Sequence, residues 1–307
     1  MLPPQGSRHL IPVESWILVA CAYSTKVPGR TPRLTVALRI LVFILWTWTW
    51  TKAHAHGDAH IQIEDLNRQI ATNSTHAPLF LRRAELHRLD GNWTNAIADL
   101  KQAAVLDPAL PGVALEYGRV YFDAGQPERA LPPLNDFLKV NPSNAIGRLV
   151  RARARAWTGQ TQPALEDYGI AIQCSPNPGP DLFLERAGVY RGLGKAGIEP
   201  ALQSLMEGLQ AVGAVLSLEM AVMDLEVELE RWDAALKRLD RVALAAPRRD
   251  RWLMRRAEVL ELAGRKPEAQ RSWKEAQQEF NALPERLRTS KSGQQQAATL
   301  REHVGTP

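Results

Sequence analysis

Cysteine is nearly missing from this chain of 307 residues, which holds only Cys21 and Cys174. Without the first 55 residues Cys174 stands alone, so no intrachain disulfide can staple the fold in an oxidising compartment. Its place on an apolar helical face predicts a buried small hydrophobe. The signatures of catalysis are missing as well. There is no G-x-S-x-G elbow, no H-E-x-x-H, no glycine-rich loop ending in Lys-Ser/Thr and no Cys–His pairing in the periodic part. The sequence therefore predicts no enzyme and no cofactor. An excess of one charge is also lacking beyond the N-terminus. The net charge of +5 resides in residues 1–55, with six Lys and Arg against one Glu, and the rest balances at 32 basic and 32 acidic residues. The isoelectric point of about 9.3 thus gives no reason to expect nucleic acid as a partner.

Long apolar runs are scarce, and the one that stands out is Ile40–Trp50, apolar apart from threonines. It follows Arg33 and Arg39 and leads into Ala53-His54-Ala55, the layout of a secretory signal peptide cleaved after Ala55. At about a dozen residues it is short of the roughly 20 that cross a bilayer. Residues 1–55 read as a leader and the chain as exported, periplasmic or secreted. If the leader stays, the chain is instead anchored to a membrane. An export signal normally begins near the initiator, which suggests a true start at Leu34 or Val36. A lipoprotein reading of Leu18-Val19-Ala20-Cys21 suffers from Glu14 interrupting the apolar run. His54, His56 and His60 around Asp58 carry metal-binding groups, but no second cluster completes a site and no metal is expected.

What the sequence does have is a period of 34 residues. Phe80, Ala84, His87, Gly91, Trp93, Ala96, Leu100, Ala103, Leu106 and Pro108 mark one unit. Gly118, Tyr121, Gly125, Ala130, Leu134, Val140 and Pro142 occupy the same slots one period later, and Ala152, Gly159, Ala164, Tyr168, Ala171 and Pro176 a period after that. The three- and four-residue spacings put each set on one helical face, before and after the glycine. Small residues at Ala84, Gly118 and Ala152, and at Ala96, Ala130 and Ala164, let two helices approach. Glycine suits the turn, and proline stops the second helix. The units are helical hairpins, and hairpins that cannot hide their own apolar faces must stack.

This pattern resembles the tetratricopeptide repeat. Three units run from Ala77 to Pro178; a fourth over Gly179–Val215 is irregular; a fifth over Leu216–Arg249 and a sixth over Asp250–Leu283 recover the period. The fifth departs most, with Met223 in the small slot and Glu230 in place of the turn glycine. The expected architecture is an all-α, right-handed solenoid over 77–283, with a half-repeat cap at 56–76 and a cap with a frayed tail at 284–307. In the cap, Ile61, Ile63, Leu66 and Ile70 form one face; at the other end Glu285–Arg288 covers the last hairpin and the chain frays from Thr289.

The resemblance implies a scaffold whose first helices line a concave groove for a partner protein or peptide. The residues facing that groove would be Leu81, Glu85 and Arg88; Leu115, Arg119 and Phe122; and Leu149, Arg153 and Trp157. Later units offer Leu184, Arg191, Asp224 and Glu258. Apolar rungs beside Arg119 and Arg153 suit a segment with acidic groups. The lysines and asparagines of the family's carboxylate-gripping members are absent. Two other readings remain, a signal-anchored envelope assembly factor and a cell-wall or polysaccharide-associated protein, the latter needing an aromatic-lined groove.

Three further features have structural readings. Arg83 and Arg151 precede Asp99 and Asp167 by sixteen residues, and Arg186 and Arg256 face Ser204 and Ser272. Each arginine is expected to lie across its hairpin. Gly192-x-Gly194-x-x-Gly197 matches a dinucleotide fingerprint, but it follows a helical pattern instead of a strand and reads as a turn. Residues 237–291 carry 15 basic against 8 acidic side chains, a basic end with Arg248, Arg249, Arg251, Arg255 and Arg256.

Overall fold

The computed structural model describes residues 59–304, all of it helix, turn and connection, with no strand among them. The leader, the Cys21 motif, the Leu34/Val36 start and the group His54, His56 and Asp58 lie outside the described residues. Helix α1 covers 59–72. Six hairpins follow: α2 (Ala77–Leu89) with α3 (Trp93–Leu106), α4 (Val113–Asp123) with α5 (Pro127–Val140), and α6 (Ala145–Trp157) with α7 (Thr161–Cys174). Then come α8 (Pro180–Arg191) with α9 (Lys195–Val212), α10 (Leu216–Glu228) with α11 (Trp232–Ala245), and α12 (Arg249–Leu262) with α13 (Lys266–Asn281). A single turn, α14 (Glu285–Arg288), and a last helix, α15 (Lys291–Val304), close the chain. Each helix packs on its hairpin partner and on the next unit, giving a right-handed solenoid.

The core is a ribbon handed from unit to unit. Phe80, Ala84, Leu100 and Ala103 of the first hairpin pack with Val113 and Val120 of α4, and Ala130 and Leu134 of α5 pack with Val150 and Ala154 of α6. Phe183, Leu205, Leu218 and Val222 join the fourth and fifth units. The small slots are required sterically. A Cβ added at Gly118 would lie 2.4 Å from Leu134 Cγ, inside any normal contact, so the α4–α5 approach depends on its absence.

The turns explain why glycine recurs. Gly91, Gly125, Gly159 and Gly264 have φ of +76°, +72°, +76° and +74°. The N–H after each glycine bonds back to a carbonyl of the first helix, as in Asn92 to His87 and Gln126 to Tyr121, both at 2.8 Å. Glu230 adopts the same backbone at φ 56°, and Arg231 N–H donates to the Glu226 carbonyl at 2.7 Å. The fold thus forces a glutamate into a glycine conformation. The fourth hairpin turns differently, through Leu193 N–H to the Tyr190 carbonyl at 2.9 Å. A Cβ on Gly197 would sit 1.7 Å from the Tyr190 oxygen. Of the fingerprint-like glycines, Gly197 serves this close crossing of α8 and α9, and Gly194, at φ +68°, serves the turn.

The ends differ in part from expectation. In α1, Ile63 and Leu66 are buried against Leu86, while Ile61 is 65% exposed. At the other end α14 buries nothing. The segment expected to fray instead forms α15, whose Leu300 packs with Leu253, Trp273 and Phe280. Ala297 and Val304 pack beside Leu300, so α15 presents a short apolar row to the last hairpin. Cys174, the last residue of α7, is half-buried and not fully enclosed.

Candidate functional site

The first helices bring the expected groove residues onto neighbouring rungs, but their environments differ. Leu81 packs on the first core cluster, and Leu115 and Phe122 on the second. Leu149 is half-buried, and Glu85 accepts from Arg82 at 2.7 Å. Arg88 is buried: its Nε donates to Glu116 Oε1 at 2.6 Å and its Nη1 to Asp123 Oδ2 at 2.7 Å, both in the next unit. Burial alone would lower its pKa, but the two carboxylates outweigh that and raise it. Arg119 Nη1 donates to the other Glu116 oxygen at 3.0 Å. Arg88 is therefore a buried tie between units.

Phe122, Arg153 and Trp157 meet around a cavity of ≈ 590 Å³ between the second, third and fourth units. Arg153 grips Glu185 of α8 with two bonds, Nε at 2.8 Å and Nη2 at 2.7 Å. Tyr168 hydroxyl donates to the same carboxylate at 3.0 Å. The hydrogen bonds of Arg153 to Glu185, followed by the charge of that carboxylate, raise the Arg153 pKa despite burial. Burial, then Glu185, hold the Tyr168 hydroxyl far above the ordinary tyrosine range. Both groups therefore keep their protons throughout the neutral range. Trp157 is 67% exposed, at the slot that Leu89 and Leu262 occupy in their units, both also exposed. It stands out into the groove and is not packed between units.

Sequence reasoning missed Glu116, Asp123, Tyr168 and Glu185. The signal was present as spacing: Arg88 precedes Glu116 by 28 and Arg153 precedes Glu185 by 32. Arg231–Glu199 and Arg265–Asp233 share the separation of 32, close to one period. Of the later positions, Arg191 meets Glu228 at 3.2 Å, and Asp224 and Glu258 both bind Arg255. Among the described residues no group of three or more His, Cys, Asp and Glu is placed to hold a metal.

A tetratricopeptide-repeat family model matches residues 115–177 and 224–282, the second and third units and the last two. Over those residues the chain carries tetratricopeptide repeats. The stretch between the two matches holds the irregular fourth hairpin of this repeat protein and most of the first helix of the fifth. Among solved structures, PilW, a type IV pilus biogenesis factor, aligns at 17% identity over 64% of this chain and 89% of its own, with a TM-score of 0.51. A tetratricopeptide-repeat protein from Parabacteroides merdae aligns at 18% identity over 74% and 91%, with a TM-score of 0.49. These likenesses concern the fold. No curated protein matches the sequence. The solenoid has a groove suited to a protein or peptide segment.

Proposed function

We propose that this protein is an exported scaffold that receives a partner segment in the cavity framed by Phe122, Arg153 and Trp157. The observation carrying this reading is Trp157, an indole 67% exposed at the mouth of a cavity whose opposite wall is locked by Arg153, Glu185 and Tyr168. An exposed aromatic held by a rigid surround supplies contact area at little entropic cost. Because Arg88, Arg119 and Arg153 already have carboxylate partners, the occupant here is held by apolar and aromatic contact more than by acidity. Export rests on the leader pattern in residues 1–55; an uncleaved leader would make the same scaffold a membrane-anchored assembly factor.

The test is affinity capture from the native envelope with the wild-type chain and Trp157→Ala. The side chain is exposed, so helical content and thermal midpoint stay unchanged. A partner retained by the wild type and lost by the variant supports the reading; equal retention by both overturns the site. Trp157 and Phe122 at the cavity also favour a second reading, a cell-wall polysaccharide stacking on these two rings. Sedimentation with purified peptidoglycan that Trp157→Ala abolishes would select it over a protein partner.

A further inference from the structure

A larger cavity, ≈ 820 Å³, opens between α10, α11 and α12. Its volume falls in the range of pockets that enclose most of a ligand. Leu216, Met220 and Trp252 contribute apolar lining, and Leu216 and Met220 remain 52% and 40% exposed. Four arginines also line it, Arg241, Arg248, Arg251 and Arg255, against a single acid, Glu219.

The arginines are not equally committed. Arg248 donates to Asp250 and, at 2.9 Å, to Gln296 of α15. Arg255 meets Glu258 at 3.0 Å and Asp224 at 3.1 Å. Arg251 bonds only the Ser292 hydroxyl, at 3.0 Å. Arg241 is 65% exposed in its side chain and lies 3.7 Å from Glu219, a carboxylate already gripped by the buried Arg238. Among the described residues two guanidiniums, one on α11 and one on α12, thus lack a hydrogen-bonded carboxylate, and an apolar surface lies in the same cavity. The groove of the early units shows the opposite balance, with its arginines engaged.

We propose that this cavity binds a peptide segment in which a large apolar side chain is flanked by carboxylates. The apolar group leaves water in the lining formed by Leu216, Met220 and Trp252, and the carboxylates accept from Arg241 and Arg251. The chain's own apolar run, Ile40–Trp50, is flanked by Arg39 and Lys52 and would bring like charge to the rim, which rules it out as occupant. Donors from two helices beside an apolar lining favour separate anionic groups over a single phosphate. The site is independent of the Trp157 cavity.

The experiment selects a displayed library of random dodecapeptides on the full chain, with counter-selection on Met220→Glu. Recovered peptides are expected to place Asp or Glu within a few positions of Leu, Ile or Phe. A synthetic member should bind the wild type and weaken about tenfold or more in Arg241→Ala/Arg251→Ala, whose circular dichroism and thermal midpoint match the wild type. The same peptide should bind Trp157→Ala unchanged. The proposal is overturned if selection enriches nothing, if the enriched peptides lack acids, or if the double variant binds equally well. It is also overturned if phosphatidylglycerol vesicles, and no peptide, distinguish wild type from the double variant.

Discussion

Asp167 is fully enclosed and answers three arginines at once. Arg151 donates to both of its oxygens at 2.7 and 2.8 Å, and Arg148 and Arg155 add one bond each at 2.7 Å. Burial alone would raise its pKa, but the hydrogen bonds from Arg151 and Arg148 prevail and hold it below the ordinary 3.8. Replacing it by asparagine leaves three guanidiniums, each at most 20% exposed, facing a neutral amide. Asp167→Asn should cost about 3–5 kcal/mol, read as a drop in urea midpoint. The pH dependence follows from the lowered value: the carboxylate's contribution is complete above 3.8 and is lost as pH falls through its folded pKa. The gap between wild type and variant should therefore be flat from neutral pH down to about 5 and shrink below about 4.

At the scale of the hairpin, one backbone geometry is met by glycine in most units and by Glu230, at φ 56°, in the fifth. An L-residue there carries a cost of about 1–2 kcal/mol that glycine avoids, partly offset by glycine's greater freedom when unfolded. Glu230→Gly should stabilise the protein by about 1 kcal/mol, raising the urea midpoint with an unchanged slope. The anomaly was legible in the sequence because the period fixed the slot. So were the Arg83–Asp99 and Arg151–Asp167 forks, confirmed at 2.6–2.8 Å, and Arg186–Ser204 at 2.8 Å. Arg256 was not: it turns back to Asp240 at 2.9 Å, a charged acceptor that outcompetes the Ser272 hydroxyl. The fifth hairpin inverts the device. Arg238, in the slot of Asp99 and Asp167, reaches Glu219 and Glu226 on α10. Pair spacing finds a contact within one period; it cannot choose among several acids brought near by stacking, which is why Glu116 and Glu185 were missed.

Across the whole molecule, charge is sorted twice. Within the solenoid the early groove is neutralised by ties between units, whereas the cavity near the C-terminus keeps two arginines without a bonded carboxylate. Between residues 1–55 and the rest of the chain the division is complete, because residues 1–55 hold the entire net charge of +5. Processing is therefore readable as an electrophoretic shift, independent of any partner. Cleavage after Ala55 leaves equal numbers of acidic and basic side chains, so the isoelectric point should fall from about 9.3 to roughly 7. Intact mass and isoelectric focusing of protein from the envelope check this together. A species that begins at His56 and focuses near neutrality supports export with cleavage. A species that retains Ile40–Trp50 and focuses in the basic range means the leader stays, and the scaffold then works at a membrane surface, where its residual positive charge would hold it close to anionic lipid.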